Sequence, residues 1–237
     1  AGSDQTKCGQ TSTTLTANAP TSGTGSWTIV SGSGGSFSAT NNPSATFTAA
    51  AGSTNTLRWT ISNSPCTSSS DDVIISFPLN PTTASAGPDQ LALCGLTSAT
   101  LAANTPSVGT GAWTVISGTG GSFSNATSQT STFSGTAGTA YTLRWTVTGA
   151  CGSVTDDVLV TFNQNPSTSN AGTPQTICTT GSATLAANSP TIGTGAWTIS
   201  SGPSTSTAQF SSTSSPTATF TPSGGAGSYV LVWTISN

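Results

Sequence analysis

The chain repeats one period of about 85 residues three times. Repeats open at Ala1, Ala86 and Ala171. Landmarks recur in register: SGTGSWTIVSG from Ser22, VGTGAWTVISG from Val108 and IGTGAWTISSG from Ile192. A second set follows, NTLRWTIS from Asn55, AYTLRWTVT from Ala140 and SYVLVWTIS from Ser228. A period of this length marks an array of modules rather than one large core, and each repeat suits a small domain. We therefore expect three domains over residues 1–80, 81–165 and 166–237, the third lacking its final strand.

The apolar residues alternate with polar ones at period two, which predicts half-buried strands. In Leu57-Arg58-Trp59-Thr60-Ile61 the odd positions face inward; in Val73-Ile74-Ile75-Ser76-Phe77 the inward set is Val73, Ile75 and Phe77. The second repeat reads as strands near 91–94, 99–103, 112–117, 121–124, 130–134, 141–148 and 157–162. Seven short strands in such a length predict an all-β, Greek-key, Ig-like β-sandwich, repeated in tandem. The expected core is Leu101, Trp113, Val115, Phe123, Phe133, Leu143, Trp145, Val147, Val158, Val160 and Phe162. The first repeat answers with Leu15, Trp27, Ile29, Phe37, Phe47, Leu57, Trp59, Ile61, Val73, Ile75 and Phe77. Trp197 and Trp233 hold the matching core places in the third. The linkers, 78–85 and 163–170, are short and proline-containing, which favours domains arranged end to end.

Cysteine follows the period. Cys8 and Cys66 fall in the first repeat, Cys94 and Cys151 at matching places in the second, and Cys178 matches Cys8 and Cys94. Lean small domains use disulfides in oxidising compartments. The spacing predicts Cys8–Cys66 and Cys94–Cys151, each clamping one end of its sandwich, with the partner of Cys178 beyond Asn237. Three explanations fit the short third repeat: a longer chain, a strand donated by a neighbouring subunit, or an open edge.

Composition excludes whole classes of function. The chain has no His, and its six acidic residues are all Asp, at positions 4, 71, 72, 89, 156 and 157. Serine or cysteine nucleophiles activated by histidine are therefore excluded, and no catalytic residue, cofactor site or metal site is expected. The three cations, Lys7, Arg58 and Arg144, leave no footprint for phosphate backbones. No apolar run approaches a membrane span. Ser and Thr supply about 38% of the chain, so its surface is hydroxyl-rich.

Two features invite a site. Asp71-Asp72 and Asp156-Asp157 offer oxygen ligands for Ca²⁺, but strand neighbours point to opposite faces, and one of each pair is placed to meet Arg58 or Arg144 across the sheet. Val232 stands where the third repeat would carry that arginine. Paired tryptophans can stack on sugars, but their inward phase predicts core. Tyr141 and Tyr229 are the aromatics expected to be partly exposed, with Asn55 at their place in the first repeat.

The run Ala86-Gly87-Pro88-Asp89-Gln90, then a cysteine, GTGAWTVISGTGGSFS, YTLRWTV and DDVLVTF resembles the PKD-like or Ig-like repeats of giant Bacteroidota surface proteins, including gliding-motility-type adhesins exported by type IX secretion. The resemblance covers all three repeats. It implies an extracellular, cell-surface filament or stalk of many such domains, without enzymatic activity, whose partners are neighbouring repeats or filament subunits. The expected function is a structural segment that spaces or presents an adhesive tip. The alternative is a polysaccharide-binding module acting through avidity.

Overall fold

A computed structural model of the chain describes residues 1–178 and 181–237. The first repeat contributes β1 (Gln5–Thr6), β2 (Ser12–Thr14), β3 (Thr24–Gly32), β4 (Ser36–Phe37), β5 (Thr46–Thr48), β6 (Thr54–Ser62) and β7 (Ser69–Ser76). They form a four-stranded sheet of order β1-β7-β6-β3 and a three-stranded sheet of order β2-β5-β4. The chain changes sheet after β1, β2, β3 and β5, and β4–β5 and β6–β7 are hairpin pairs within one sheet; β1 runs parallel to β7 (Gln5↔Ile75, Thr6↔Ser76) while β6 pairs antiparallel with both neighbours. The alternation that builds these strands sends Leu15 and Phe47 from one sheet, and Trp27, Leu57, Trp59, Val73, Ile75 and Phe77 from the other end of the pattern, into a single buried cluster.

The second repeat follows the same plan with β8 (Gln90–Cys94), β9 (Ser98–Thr100), β10 (Thr110–Ser117), β11 (Ser122–Phe123), β12 (Thr132–Ser134), β13 (Thr139–Gly149) and β14 (Gly152–Asn163). Its sheets are ordered β10-β13-β14-β8 and β11-β12-β9. The third repeat has β15 (Ala183–Thr184), β16 (Thr194–Ser201), one turn of 3₁₀ helix (Thr207–Gln209), β17 (Thr219–Phe220) and β18 (Val230–Ser236), in two-stranded sheets β15-β17 and β16-β18. The fold is all-β, a tandem of Ig-like sandwiches. By packing, the chain divides into two compact units. One is Ala1–Gln90, Ala99–Ser134 and Tyr141–Val160; the other is Leu91–Ser98, Gly135–Ala140 and Thr161–Asn237.

The repeated tryptophans explain the glycine of the GTGxW motif. Trp27 pairs across the sheet with Trp59, Trp113 with Trp145 and Trp197 with Trp233. Ring centroids lie 5.0, 5.1 and 5.1 Å apart, within the range of favourable tilted pairs. Gly25, Gly111 and Gly195 stand two residues before the first tryptophan, and a Cβ there would overlap the ring of Trp59, Trp145 or Trp233. The motif needs glycine for space against that ring.

Of the expected core positions, Phe37, Ile61 and Phe123 are only half-buried, and two are exposed. Ile29 and Val115 are 37% and 36% exposed. Each lies on the outermost strand of its sheet, immediately before a register shift, between Ile29 and Ser31 and between Val115 and Ser117. A bulge interrupts the period-two phase on which the expectation rested. Tyr141, expected to be partly exposed, is buried instead. It keeps phase with Leu143 and Trp145, packs edge-on to Phe133 at 4.9 Å and donates from its hydroxyl to Thr119 O at 2.6 Å.

Candidate functional site at the repeat junction

The expected intra-repeat disulfides do not form. Cys8 is bonded to Cys151 of the following repeat, 143 residues away, with Cα atoms 5.6 Å apart. Cys66, Cys94 and Cys178 are exposed free thiols. The reason is topological. Because β1 runs parallel to β7, the chain leaves β1 toward the far end of β7: Lys7 N donates to Ser76 O and Gly9 N to Pro78 O, both at 2.9 Å. Cys66 precedes the near end of β7. The two cysteines are therefore separated by the length of the 8-residue β7, about 26 Å at strand rise, against a disulfide limit of about 7 Å. Cys94 and Cys151 are divided in the same way by the 12-residue β14. What lies beside Cys8 is the β13–β14 turn of the next repeat, whose Cys151 Sγ also lies 3.5 Å from Pro78 O.

The linkers beside these cysteines are pinned by a motif that sequence reasoning overlooked. Thr82 Oγ1 accepts from Ser107 N (3.0 Å) and Val108 N (2.9 Å), and Thr82 N donates to Val108 O at 3.0 Å. Asn104 Oδ1 accepts from Ser85 N at 2.8 Å while its Nδ2 donates to Thr83 O at 2.9 Å. The second linker repeats the arrangement. Ser167 Oγ accepts from Thr191 N (2.9 Å) and Ile192 N (2.8 Å), and Asn188 spans Asn170 N (2.7 Å) and Thr168 O (3.0 Å). The signal was present in the recurring Leu-x-Ala-Asn stretch at Leu101 and Leu185, whose asparagine has no role inside a strand. Each side chain satisfies linker backbone groups that would otherwise be free to rearrange.

The acidic pairs split as strand geometry requires. Asp72 and Asp157 face outward and make two-pronged ion pairs: Arg58 Nε and Nη2 at 2.7 and 2.9 Å, Arg144 Nε and Nη2 at 2.7 and 2.8 Å. Hydrogen bonding to the guanidinium holds both carboxyls below the usual carboxylate range. Asp71 and Asp156 point to the other face and accept from the nitrogens of Ala1 (2.6 Å) and Ala86 (2.7 Å). Asp4 and Asp89 accept from Ile74 N (2.8 Å) and Leu159 N (2.9 Å). Four of the six carboxylates thus fasten the opening segment of a repeat to its last strand, while Asp72 and Asp157 tie that last strand to its neighbour, and among the described residues no cluster of metal-ligating side chains forms. All six tryptophans are buried, so none offers a face to a sugar. No helix among the described residues is long and apolar enough to cross a membrane.

No protein-family model matches the chain, and no curated protein does. Solved structures do match. A titin fragment of three Ig domains aligns at 12% identity and a TM-score of 0.47, over 98% of this chain and 90% of that one. Extracellular domains 3–5 of Drosophila OTK align at 10% identity and 0.40, over 93% and 85%. A protocadherin gammaB7 fragment aligns at 12% and 0.37, over 92% of this chain but only 63% of its own length. Likenesses this distant do not bear on function.

Proposed function

We propose that the chain is a structural segment of an extracellular filament or adhesin stalk, with its Ig-like repeats spacing or presenting an adhesive tip. The observation that carries this reading is the Cys8–Cys151 bond, which ties one repeat to the next beside a linker already held by Thr82 and Asn104. A catalytic domain gains nothing from a covalent clamp between modules, whereas a stalk under tension does. Disulfides persist in oxidising surroundings, which supports an extracellular place. The repeated residues are core tryptophans, spacing glycines and junction clamps, and none is a reactive group poised over a cleft. The resemblance of the AGPDQ, GTGAWTVISG and DDVLVTF segments to Bacteroidota surface repeats belongs to this reading, as do non-enzymatic action and partnership with neighbouring repeats.

Single-molecule stretching tests it. An oxidised chain held at its ends should hide the residues between Cys8 and Cys151 from extension, and dithiothreitol should release them as added contour length. Equal contour lengths with and without reductant would remove the mechanical role. Binding of an isolated repeat to a glycan array would favour the polysaccharide-binding alternative.

A further inference from the structure

The first repeat carries a groove lined wholly by polar side chains. It lies where β1 and β2 part to opposite sheets and encloses about 700 Å³, within the range of small-molecule sites, about 300–1,000 Å³. All nine residues that line it are Ser, Thr, Gln or Lys. Its floor is the outward face of the β2–β5 pair, where Thr14 stands opposite Thr46. Neighbouring strands lie about 5 Å apart, so one sugar ring reaches the hydroxyls of both. Its wall is the β1 segment, whose alternate residues Ser3, Gln5 and Lys7 face the groove. Asp4, out of phase with them, turns to Ile74 N on β7 at 2.8 Å and leaves the lining without an acid.

The fold does not require that polarity. The glutamine is common to all repeats: Gln5, Gln90 and Gln175 each donate from Nε2 to the carbonyl of Thr14, Thr100 or Thr184. Around it the repeats diverge. Counted from the cysteines, Lys7, Gln10, Thr13 and Thr16 answer to Leu93, Leu96, Ala99 and Ala102 in the second repeat. The third has Ile177, Ala183 and Ala186 at the places of Lys7, Thr13 and Thr16. Thr13 is buried, and its Oγ1 donates to Gln5 Oε1 at 2.6 Å, a contact that alanine cannot make in the other two. Lys7 is half-buried, and among the described residues no carboxylate pairs with it, whereas Arg58 and Arg144 are each bound to an aspartate.

We propose that this groove binds an acidic polysaccharide, with a sugar carboxylate on the Lys7 ammonium and ring hydroxyls on Gln10, Ser12, Thr14 and Thr46. The choice of ligand follows from the lining. With no apolar or aromatic side chain in the groove, an apolar ligand gains nothing, and a neutral sugar has no ring to stack on. Bonds between hydroxyls largely replace bonds to water, so they orient a ligand more than they hold it. A charge-assisted bond is stronger, and Lys7 supplies a cation that no carboxylate of the groove neutralises. A nucleic-acid backbone would demand a row of cations, and the groove has one. Because the groove lies within one repeat, binding there is independent of any load on the junction. It also differs from binding by avidity, since it needs only the first repeat.

Titration of the intact, isotope-labelled chain with a galacturonate oligomer, followed by amide NMR, tests this. Shifts should centre on residues 3–16 and 46 and be absent at residues 91–102. The methyl ester of the same oligomer, which is uncharged, should bind about tenfold more weakly, the loss expected when a hydrogen bond to a charged group is removed. Lys7→Gln should weaken binding of the acid by a similar factor, and Lys7→Arg, which keeps the charge, should retain most of it. Added salt should weaken binding to the parent chain, as screening of a solvent-facing charge requires. The ester comparison needs no variant, so it stands whatever the substitutions do to folding. Equal affinity for acid and ester, a Lys7→Gln chain that binds as the parent does, or the same amide shifts from acetate alone would overturn the proposal. So would shifts centred on the second repeat, or no shifts at all.

Discussion

The first and third repeats share their core tryptophans, leucines and phenylalanines, and the largest difference between them lies in one strand. Where β7 fills the sheet, Leu57, Phe47 and Leu15 are 0%, 0% and 1% exposed. At the matching places Leu231 is half-buried, and Phe220 and Leu185 are 4% and 7% exposed. Tyr229 and Leu231 pack against the third core only in part. On the opposite flank the order reverses: Ile199 and Phe210 are buried, while Ile29 is exposed and Phe37 half-buried. The tryptophans change roles as well. Trp59 has its indole N–H buried without an acceptor, whereas Trp233 donates to Asn188 O at 3.1 Å. The final strand therefore seals the leucine side of the core, and the sandwich without it keeps its tryptophan pair but leaves that side open.

The junction bond should give the largest effect. It closes 143 residues of separation, so on the chain-entropy model it contributes at most roughly 5 kcal/mol. Reduction, or Cys8→Ser with Cys151→Ser, should lower the melting temperature of the first repeat by many degrees and leave the unfolding of the third unchanged. Equal loss in both, followed by tryptophan fluorescence in single-tryptophan variants, would break the distinction between them.

Next come the spacing glycines. Gly111→Ala drives a methyl into Trp145 and should cost about 1–3 kcal/mol by overpacking. Gly195→Ala meets Trp233 in the same way, but the open side of the third core gives that ring room to yield. Its cost, measured by chemical denaturation, should be smaller. A larger cost at Gly195 would mean that the third core is as rigid as the second.

A smaller effect is expected where Asn55 replaces the tyrosine of the other repeats. Asn55 is fully buried, and its Oδ1 has no hydrogen-bond partner. Asn55→Tyr should stabilise the first repeat by about 1–2 kcal/mol, by removing an unsatisfied oxygen and adding an edge contact to Phe47 like that between Tyr141 and Phe133. Tyr141→Asn should do the reverse. Both results are read from denaturant midpoints at unchanged slope.

These sites also show what the amino-acid sequence could reveal. The alternation around Leu57-Arg58-Trp59 placed strands, tryptophans and arginine–aspartate pairs, because period two is set by the strand itself. The same alternation points Tyr141 and Asn55 inward, in phase with Leu143 and Leu57. Ile29 and Val115 escaped because a bulge shifts phase without a residue that announces it. The cysteines were misjudged for a different reason. Spacing joined Cys8 to Cys66 as members of one repeat, but distance is decided by the parallel β1–β7 pair, which carries Cys8 to the opposite end. Parallel pairing between first and last strands is a property of topology, and no local pattern encodes it. Asn104 and Asn188 were legible as recurrences but not as clamps, since their partners lie in linkers 18 to 21 residues away.

The smallest effect belongs to the exposed ion pairs, and it separates the repeats by pH. Arg58 and Arg144 hold Asp72 and Asp157 below the ordinary carboxylate range, so the folded state binds these protons less readily than the unfolded chain. The resulting stabilisation is complete above the unfolded carboxylate value, about 3.9, and is lost as pH falls through the depressed folded value. Arg144→Gln should return the Asp157 carboxyl to its ordinary range in a carbon-detected NMR titration, and should flatten the acid dependence of the second repeat with little change at neutral pH, as exposed pairs contribute little. The third repeat, with Val232 in place of the arginine, should show no such acid step before or after the substitution. An acid step of equal size there would assign the pH dependence to something other than these pairs.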